Sequence, residues 1–332
     1  MTQPFRLGFL THLEGTDAPR RIYQETLELF VAADQLGFDV VWVAQHHFKE
    51  RAGCLPSPFP FLAAAAERTR QLRLGTSIVV LPLEHPLRVA EDAAVVDTLS
   101  DGRLELGVGS GGDPAEFQTF GVDKAQRHVL TTDGLKSLQQ ALRGEPLGPS
   151  QQRLQPPAPT LIDRLWQSGL SARGAAYVGQ QGVGLMLSRA AWGQDEPTDQ
   201  VQLPVAQTYL ENWTGAPAQP RLGLSRGVYP AADRATALHE LRTGVMQSAE
   251  AMAKQGNLPP GRTLEEYCAR MHIAYGHPDE VAATLAADLV LPYTTDLILQ
   301  LNPVKPPLAQ SIRMLEQIAT QIAPALGWQP NR

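Results

Sequence analysis

The stretch "LRLGTSIVVLPLEHPLRVAEDAAVVDTLSDGRLELGVGSG", residues 72–111, holds the alternation that decides the fold. Residues 72–82 are apolar and rich in β-branched side chains, the pattern of a strand buried on both faces. Pro86 opens a helical stretch that runs to residue 100, at the first-turn position where its missing N–H is harmless. Asp101–Gly102 ends that helix, and residues 103–111 read as another strand. Strand, helix, strand is the unit of a parallel sheet.

Working outward in both directions, the same alternation recurs. "RLGFLT" (6–11) reads as a strand. Pro19 then starts a helix whose apolar residues Ile22, Leu27, Leu29, Phe30, Ala33 and Leu36 recur at helical spacing, with Gly37 as its stop. "VVWVA" (40–44) is a strand and 57–70 a helix. Downstream, helices are expected at 126–144, 171–181, 231–255, 277–291 and 307–326. Strands are expected at 164–169, 183–188, 221–230 and 295–301. Residues 145–163 and 256–276 read as irregular, and 189–220 as an insertion over one face that holds a helix near 200–213. Eight strands, each followed by a helical region, favour a closed (β/α)8 TIM barrel with insertions over an open doubly wound sheet. The expected organisation is a single domain over 1–332.

Composition narrows the function classes. Apolar residues are 43% of the chain and charged residues 19%, which suits a sizeable core. The net charge of −6 gives no electrostatic footprint for nucleic acid or an anionic membrane. Cys54 and Cys268 stand alone, without a CxxC pair, and read as reduced thiols. No apolar run is long enough to span a membrane, and the N-terminal stretch lacks the basic start of a signal peptide, so a cytoplasmic location is expected.

In such a barrel the chemistry gathers where strands end at their C-terminal side. Gln45, His46 and His47 follow the second strand directly. Two adjacent histidines have no HExxH spacing and no neighbouring ligands, so no metal site is expected. Acid–base work by one of them and a purely structural pair both fit, and adjacent residues in extended chain point opposite ways. "GVGSGG" (107–112) has GxGxxG spacing after a strand, but "DPAEF" follows with no clear helix at the third glycine. The glycines suit close approach of a flat ligand better than a dinucleotide fingerprint. Ser171 is placed to cap the helix that begins "SARG", where free amides and Arg173 suit a phosphate, as an ordinary capped helix also would. No GxSxG elbow supports a hydrolase.

Together, "AQHHF" (44–48), residues 75–112 and "SARGAAYVGQQG" (171–182) resemble the bacterial luciferase-like monooxygenases, in order over residues 5–188. The resemblance implies the same eight-fold barrel and a flavin site at its C-terminal face. The cofactor implied is FMN, its reduced form supplied by a separate flavin reductase, or in one branch a deazaflavin coenzyme. With O2 the reduced flavin oxidises a small organic substrate. His46 matches the histidine that assists the oxygen chemistry. Ser77–Ile78 matches a non-proline cis peptide behind the isoalloxazine ring, with Gly109 and Ser110 in the glycine-rich strand beside it. Leu170, Ser171, Ala172, Arg173 and Gly174 match the phosphate turn, and Arg127 an arginine on the phosphate side. A homodimer is implied. Light-emitting members carry an acidic residue at Gln45, an arginine at Ser110 and a threonine at Gly174, so light emission does not carry over. Two alternatives stay open: a deazaflavin-dependent dehydrogenase on the same barrel, and a non-catalytic flavin-binding protein.

Overall fold

The computed structural model describes residues 5–49, 54–216, 218–301 and 303–330. Its ten strands are β1 (Arg6–Thr11), β2 (Val40–Val43), β3 (Arg73–Thr76), β4 (Val79–Val80), β5 (Leu104–Gly109), β6 (Leu165–Ser168), β7 (Gly184–Leu187), β8 (Leu222–Pro230), β9 (Ile273–Gly276) and β10 (Asp296–Gln300). They are hydrogen-bonded in the order β1, β2, β3, β5, β6, β7, β8, and β10 pairs in parallel with both β8 and β1. That closes a ring of eight parallel strands, the (β/α)8 barrel.

The eight strands expected from sequence are these eight, with two corrections. Residues 72–82 are not one continuous strand. The peptide between Ser77 and Ile78 is cis, which separates β3 from the two-residue β4. Residues 256–276 are not irregular. They form helix Leu264–Arg270 and strand β9, which pairs with the C-terminal half of β8. The helix starts on a capping box in which Thr263 accepts from the Glu266 amide and Glu266 accepts from the Thr263 amide. The "TLEE" sequence carries that signal.

Among the described residues, the α-helices of six residues or more are, in chain order, α1 (Pro19–Leu36), α2 (Pro58–Ala66), α3 (Pro86–Leu99), α4 (Pro114–Thr119), α5 (Arg127–Leu142), α6 (Ala172–Gln180), α7 (Thr198–Glu211), α8 (Arg234–Lys254), α9 (the Leu264–Arg270 helix), α10 (Pro278–Ala286) and α11 (Leu308–Gln317). In α1, Ile22, Thr26, Leu29, Phe30 and Ala33 are buried, one face at helical spacing. Gly37 ends it with φ +83°, a conformation an L side chain rarely adopts. The helix expected inside 189–220 is α7, which occupies the chain between β7 and β8 and packs on α6. Pro217 in that stretch lies outside the described residues.

The chain divides into two compact units. One comprises His12–Phe30 and Val41–Ser168, with strands β2 to β6. Its core is built on Trp42, fully buried, with the Trp166 ring edge-on at 5.8 Å. Trp166 donates its indole N–H to the buried Glu105 carboxylate at 2.7 Å, and Arg73 pairs with the same carboxylate at 2.6 Å. The "SDGR" sequence has a structural purpose here. Arg103 donates to the carbonyls of Ala66, Leu72 and Ser100, tying the end of α2 and its following loop to the start of β5.

The other unit comprises residues 1–11, 31–40 and 169–332. Its core includes Leu7, Leu185, Leu222, Leu224, Leu297 and Leu299, all fully buried. Arg226 on β8 is also fully buried; it pairs with Asp288 at 2.6 Å and donates to Gln202 of α7 at 2.9 Å. Burial alone would raise the Asp288 carboxyl, but His272 and Arg226 hold it well below the usual carboxylate range.

Candidate active site

β2 ends at Val43, and the next five residues carry most of the polar geometry. Gln45 is buried and works as a clasp. Its amide nitrogen donates to the Pro56 carbonyl at 2.9 Å and to Glu84 at 2.8 Å, while its oxygen accepts the Val80 N–H at 2.7 Å. A carboxamide does both, whereas a carboxylate here would face Glu84, repel it and lose the donor.

His46 and His47 occupy opposite environments. The His46 side chain is 30% exposed, and its Nε2 lies 3.2 Å from Nδ1 of His12, the residue after β1. The two ring planes are within 15° of parallel and their centroids are 5.4 Å apart. The centroid separation exceeds the nitrogen contact by about one ring width, so the rings meet head-on in a common plane, the geometry of an N–H···N hydrogen bond. His47 is buried, edge-on to Phe120 at 4.9 Å, with no hydrogen-bond partner on Nε2. Burial is the main reason its imidazole is held below the ordinary histidine range, and neighbouring His46 adds to it; Glu116 and Glu84 oppose this without reversing it. His47 is therefore a neutral packing residue near neutral pH.

The other ring nitrogen of His46 faces Glu116, whose Oε1 is 3.8 Å from His46 Nδ1. Glu116 stands on α4, a helix that sequence reading missed. Asp113 caps it by accepting the Ala115 N–H at 2.8 Å, and Pro114 takes its first position. The D-P-x-E order was the available signal. Glu116 is 4% exposed and accepts the His47 backbone N–H at 3.1 Å. Burial alone would raise its carboxyl; His46, the His47 amide and Lys49 overcome that and hold it below the usual range. Asp113 is likewise lowered against a burial that would raise it, by Lys49 at 2.7 Å and by backbone amides.

In the same unit the cis Ser77–Ile78 peptide follows β3, with the Ser77 N–H donating to the Val43 carbonyl at 2.7 Å. Thr76 fastens this bend to β5, donating to the Gly107 carbonyl at 2.8 Å and accepting its N–H at 2.9 Å. Gly109 is brought against Ile78 and Ser168: a Cβ there would stand 3.0 Å from Ile78 and 2.3 Å from the Ser168 hydroxyl. Ser110 follows at the end of β5, partly exposed. Beside Ser168, the Gln167 side-chain oxygen is buried without a hydrogen-bond partner. Arg127 opens α5, and its guanidinium donates to the Lys124 carbonyl at 3.4 Å.

In the other unit Ser171 caps α6, accepting the Gly174 N–H at 3.2 Å. The first intrahelical bond runs from the Ala175 N–H to the Ser171 carbonyl, so the amides of Ala172 and Arg173 precede it. Leu170, Ser171, Ala172 and Arg173 are exposed and Gly174 partly so. Among the described residues no three His, Cys, Asp or Glu side chains are grouped to hold a metal, and no helix is long and apolar enough to cross a membrane.

The family model of the luciferase-like monooxygenases matches residues 5–294, and the chain belongs to that family. Among relatives, the 4-hydroxyprotoasukamycin monooxygenase of Streptomyces nodosus subsp. asukaensis is 40% identical over 40% of this chain and 36% of its own. The oxygenase component of the flavin-dependent trigonelline monooxygenase of Acinetobacter baylyi is 34% identical over 34% of this chain and 32% of its own. The matched stretches thus span about a third of those relatives' length. The crystal structure of monooxygenase RslO1 from Streptomyces bottropensis overlays with a TM-score of 0.81 at 23% identity, covering 97% of this chain and 100% of that one, a likeness of fold.

Proposed function

We propose that this protein is the oxygenase component of a two-component system, taking reduced FMN from a separate flavin reductase and using O2 to oxidise a small organic substrate. The observation that supports this reading is His46, which meets His12 at Nε2 and faces the Glu116 carboxylate at Nδ1, and which the resemblance matches to the family's acid–base histidine. The residues fit a flat, anionic cofactor. Exposed first-turn amides and Arg173 suit a phosphate, and the unpartnered Gln167 oxygen suits an N–H donor on a ring. By the family resemblance, the Ser171 turn and Arg127 are each proposed as phosphate-side residues, and Ser77–Ile78, Gly109 and Ser110 as ring-side residues.

FMN, when bound, supplies the electrons that activate oxygen. The chain's own contribution is binding, orientation and proton handling. Glu116, kept ionised and facing Nδ1, favours the His46 tautomer with its proton there and leaves Nε2 as the acceptor. His46 is thereby an acid–base group whose charged form has a counter-ion in place. A homodimer is part of the same reading, checked by sedimentation.

The test is an anaerobic titration with reduced FMN and, in parallel, a reduced deazaflavin, followed by admission of oxygen. Tight binding of reduced FMN and a flavin reoxidation course altered by the protein support the proposal. Binding of the deazaflavin alone, with no oxygen reaction, moves the assignment to hydride transfer; binding of neither overturns both. His46→Ala is expected to slow oxygenation about 10²-fold or more with flavin affinity retained.

A further inference from the structure

His12 is a residue that neither the motif nor the flavin reading requires, yet it holds the working nitrogen of His46. The tautomers follow from the neighbours. Glu116 is an acceptor held in its ionised form, so the His46 nitrogen facing it, Nδ1, carries the proton. In the neutral ring Nε2 is then an acceptor, and the nitrogen 3.2 Å away, His12 Nδ1, is the donor. The reverse arrangement would set the bare Nδ1 lone pair of His46 against a carboxylate.

We propose that His12 and His46 form a two-imidazole proton relay anchored by Glu116, with His12 the positioning and relay residue; this rests on His46 being the acid–base group of the oxygenase. A proton arriving at His12 Nε2 forms an N–H there. The His12 Nδ1–H bond breaks as its proton moves to His46 Nε2, and the positive charge ends beside Glu116. The reverse sequence returns it. One proton is gained and nothing is oxidised or reduced. Among the described residues, the charged groups near the pair include Glu116, Lys49 and Asp113, and the His47 imidazole is held below the ordinary histidine range.

The test is nitrogen-15 NMR of the full, flavin-free chain with labelled histidine, at a pH where the rings are neutral. Both His12 and His46 are expected as Nδ1–H tautomers, with a scalar coupling between His12 Nδ1 and His46 Nε2. His12→Phe should abolish the coupling and shift the His46 Nε2 resonance as its donor is lost, while Glu116 keeps the proton on Nδ1. His12→Gln restores a donor to His46 Nε2 and should return that resonance towards its parent position, while oxygenation falls at least about tenfold because an amide relays no proton. A His46 Nε2–H tautomer, or His46 signals indifferent to both variants, overturns the relay. So does full oxygenation in His12→Gln. Because the NMR arm needs no flavin, its outcome stands whether or not reduced FMN binds.

Discussion

Glu116 Oε1 lies 3.8 Å from the Nδ1 of His46, and the carboxylate is almost wholly buried. Its protonation is therefore linked to folding. The carboxyl is lower in the folded chain than in the unfolded one, so its stabilising effect is fully present above the unfolded value of about 4.3 and lost as pH falls through the folded value. Asp113 has the same sign. Stability should fall below about pH 4.5, and Glu116→Gln should lower it at pH 7 yet flatten the acid limb without removing it. Urea midpoints at neutral and acid pH check this; an acid limb of unchanged slope in the variant would place the linkage elsewhere.

Gln45→Glu should not be tolerated. The new carboxylate would face Glu84 and would no longer donate to it or to the Pro56 carbonyl. Loss of two donor contacts at a buried site, with like charges adjacent, should cost about 2–4 kcal/mol. The double variant Gln45→Glu with Glu84→Gln should recover part of it. Chemical denaturation of the three variants measures the coupling, and additive losses would deny that the two side chains interact.

Gly75 on β3 lies under the Trp42 indole, and a Cβ there would come within 2.2–2.7 Å of three ring atoms. Trp42 is fully buried and braced by Trp166, so it has nowhere to retreat. Gly75→Ala should destabilise by about 1–3 kcal/mol through overpacking. Gly112, where an added Cβ meets nothing within 4 Å, supplies the control: Gly112→Ala should leave the melting temperature nearly unchanged.

The barrel was legible because its strands are buried on both faces and so appear as continuous apolar runs such as Val40–Val43, all buried. β9 escaped notice because it follows a short helix and lies in only four residues of "IAYG". Helix α4 was hidden by its own cap, since Asp113–Pro114 reads as a turn until Glu116 is recognised as a first-turn acid. The His46 position was readable from its place after β2. Its partners were not: His12 is 34 residues away and Glu116 is 70 residues beyond His46 in the chain, and only the folded strands bring them together.

Ser171→Ala separates a structural role from a binding one. As a cap, the hydroxyl accepts the Gly174 N–H, and its loss should cost about 1 kcal/mol of stability. A hydroxyl that accepts one bond still has a proton to donate, and a phosphate is the acceptor the proposed function places there. A charge-assisted bond is worth about 1.5–3 kcal/mol, so FMN affinity should fall about tenfold or more. Riboflavin, which has the ring but no phosphate, should bind the variant and the parent alike. If both ligands weaken equally, the hydroxyl acts only by holding the start of α6; if FMN affinity is unchanged, the phosphate does not lie at this turn.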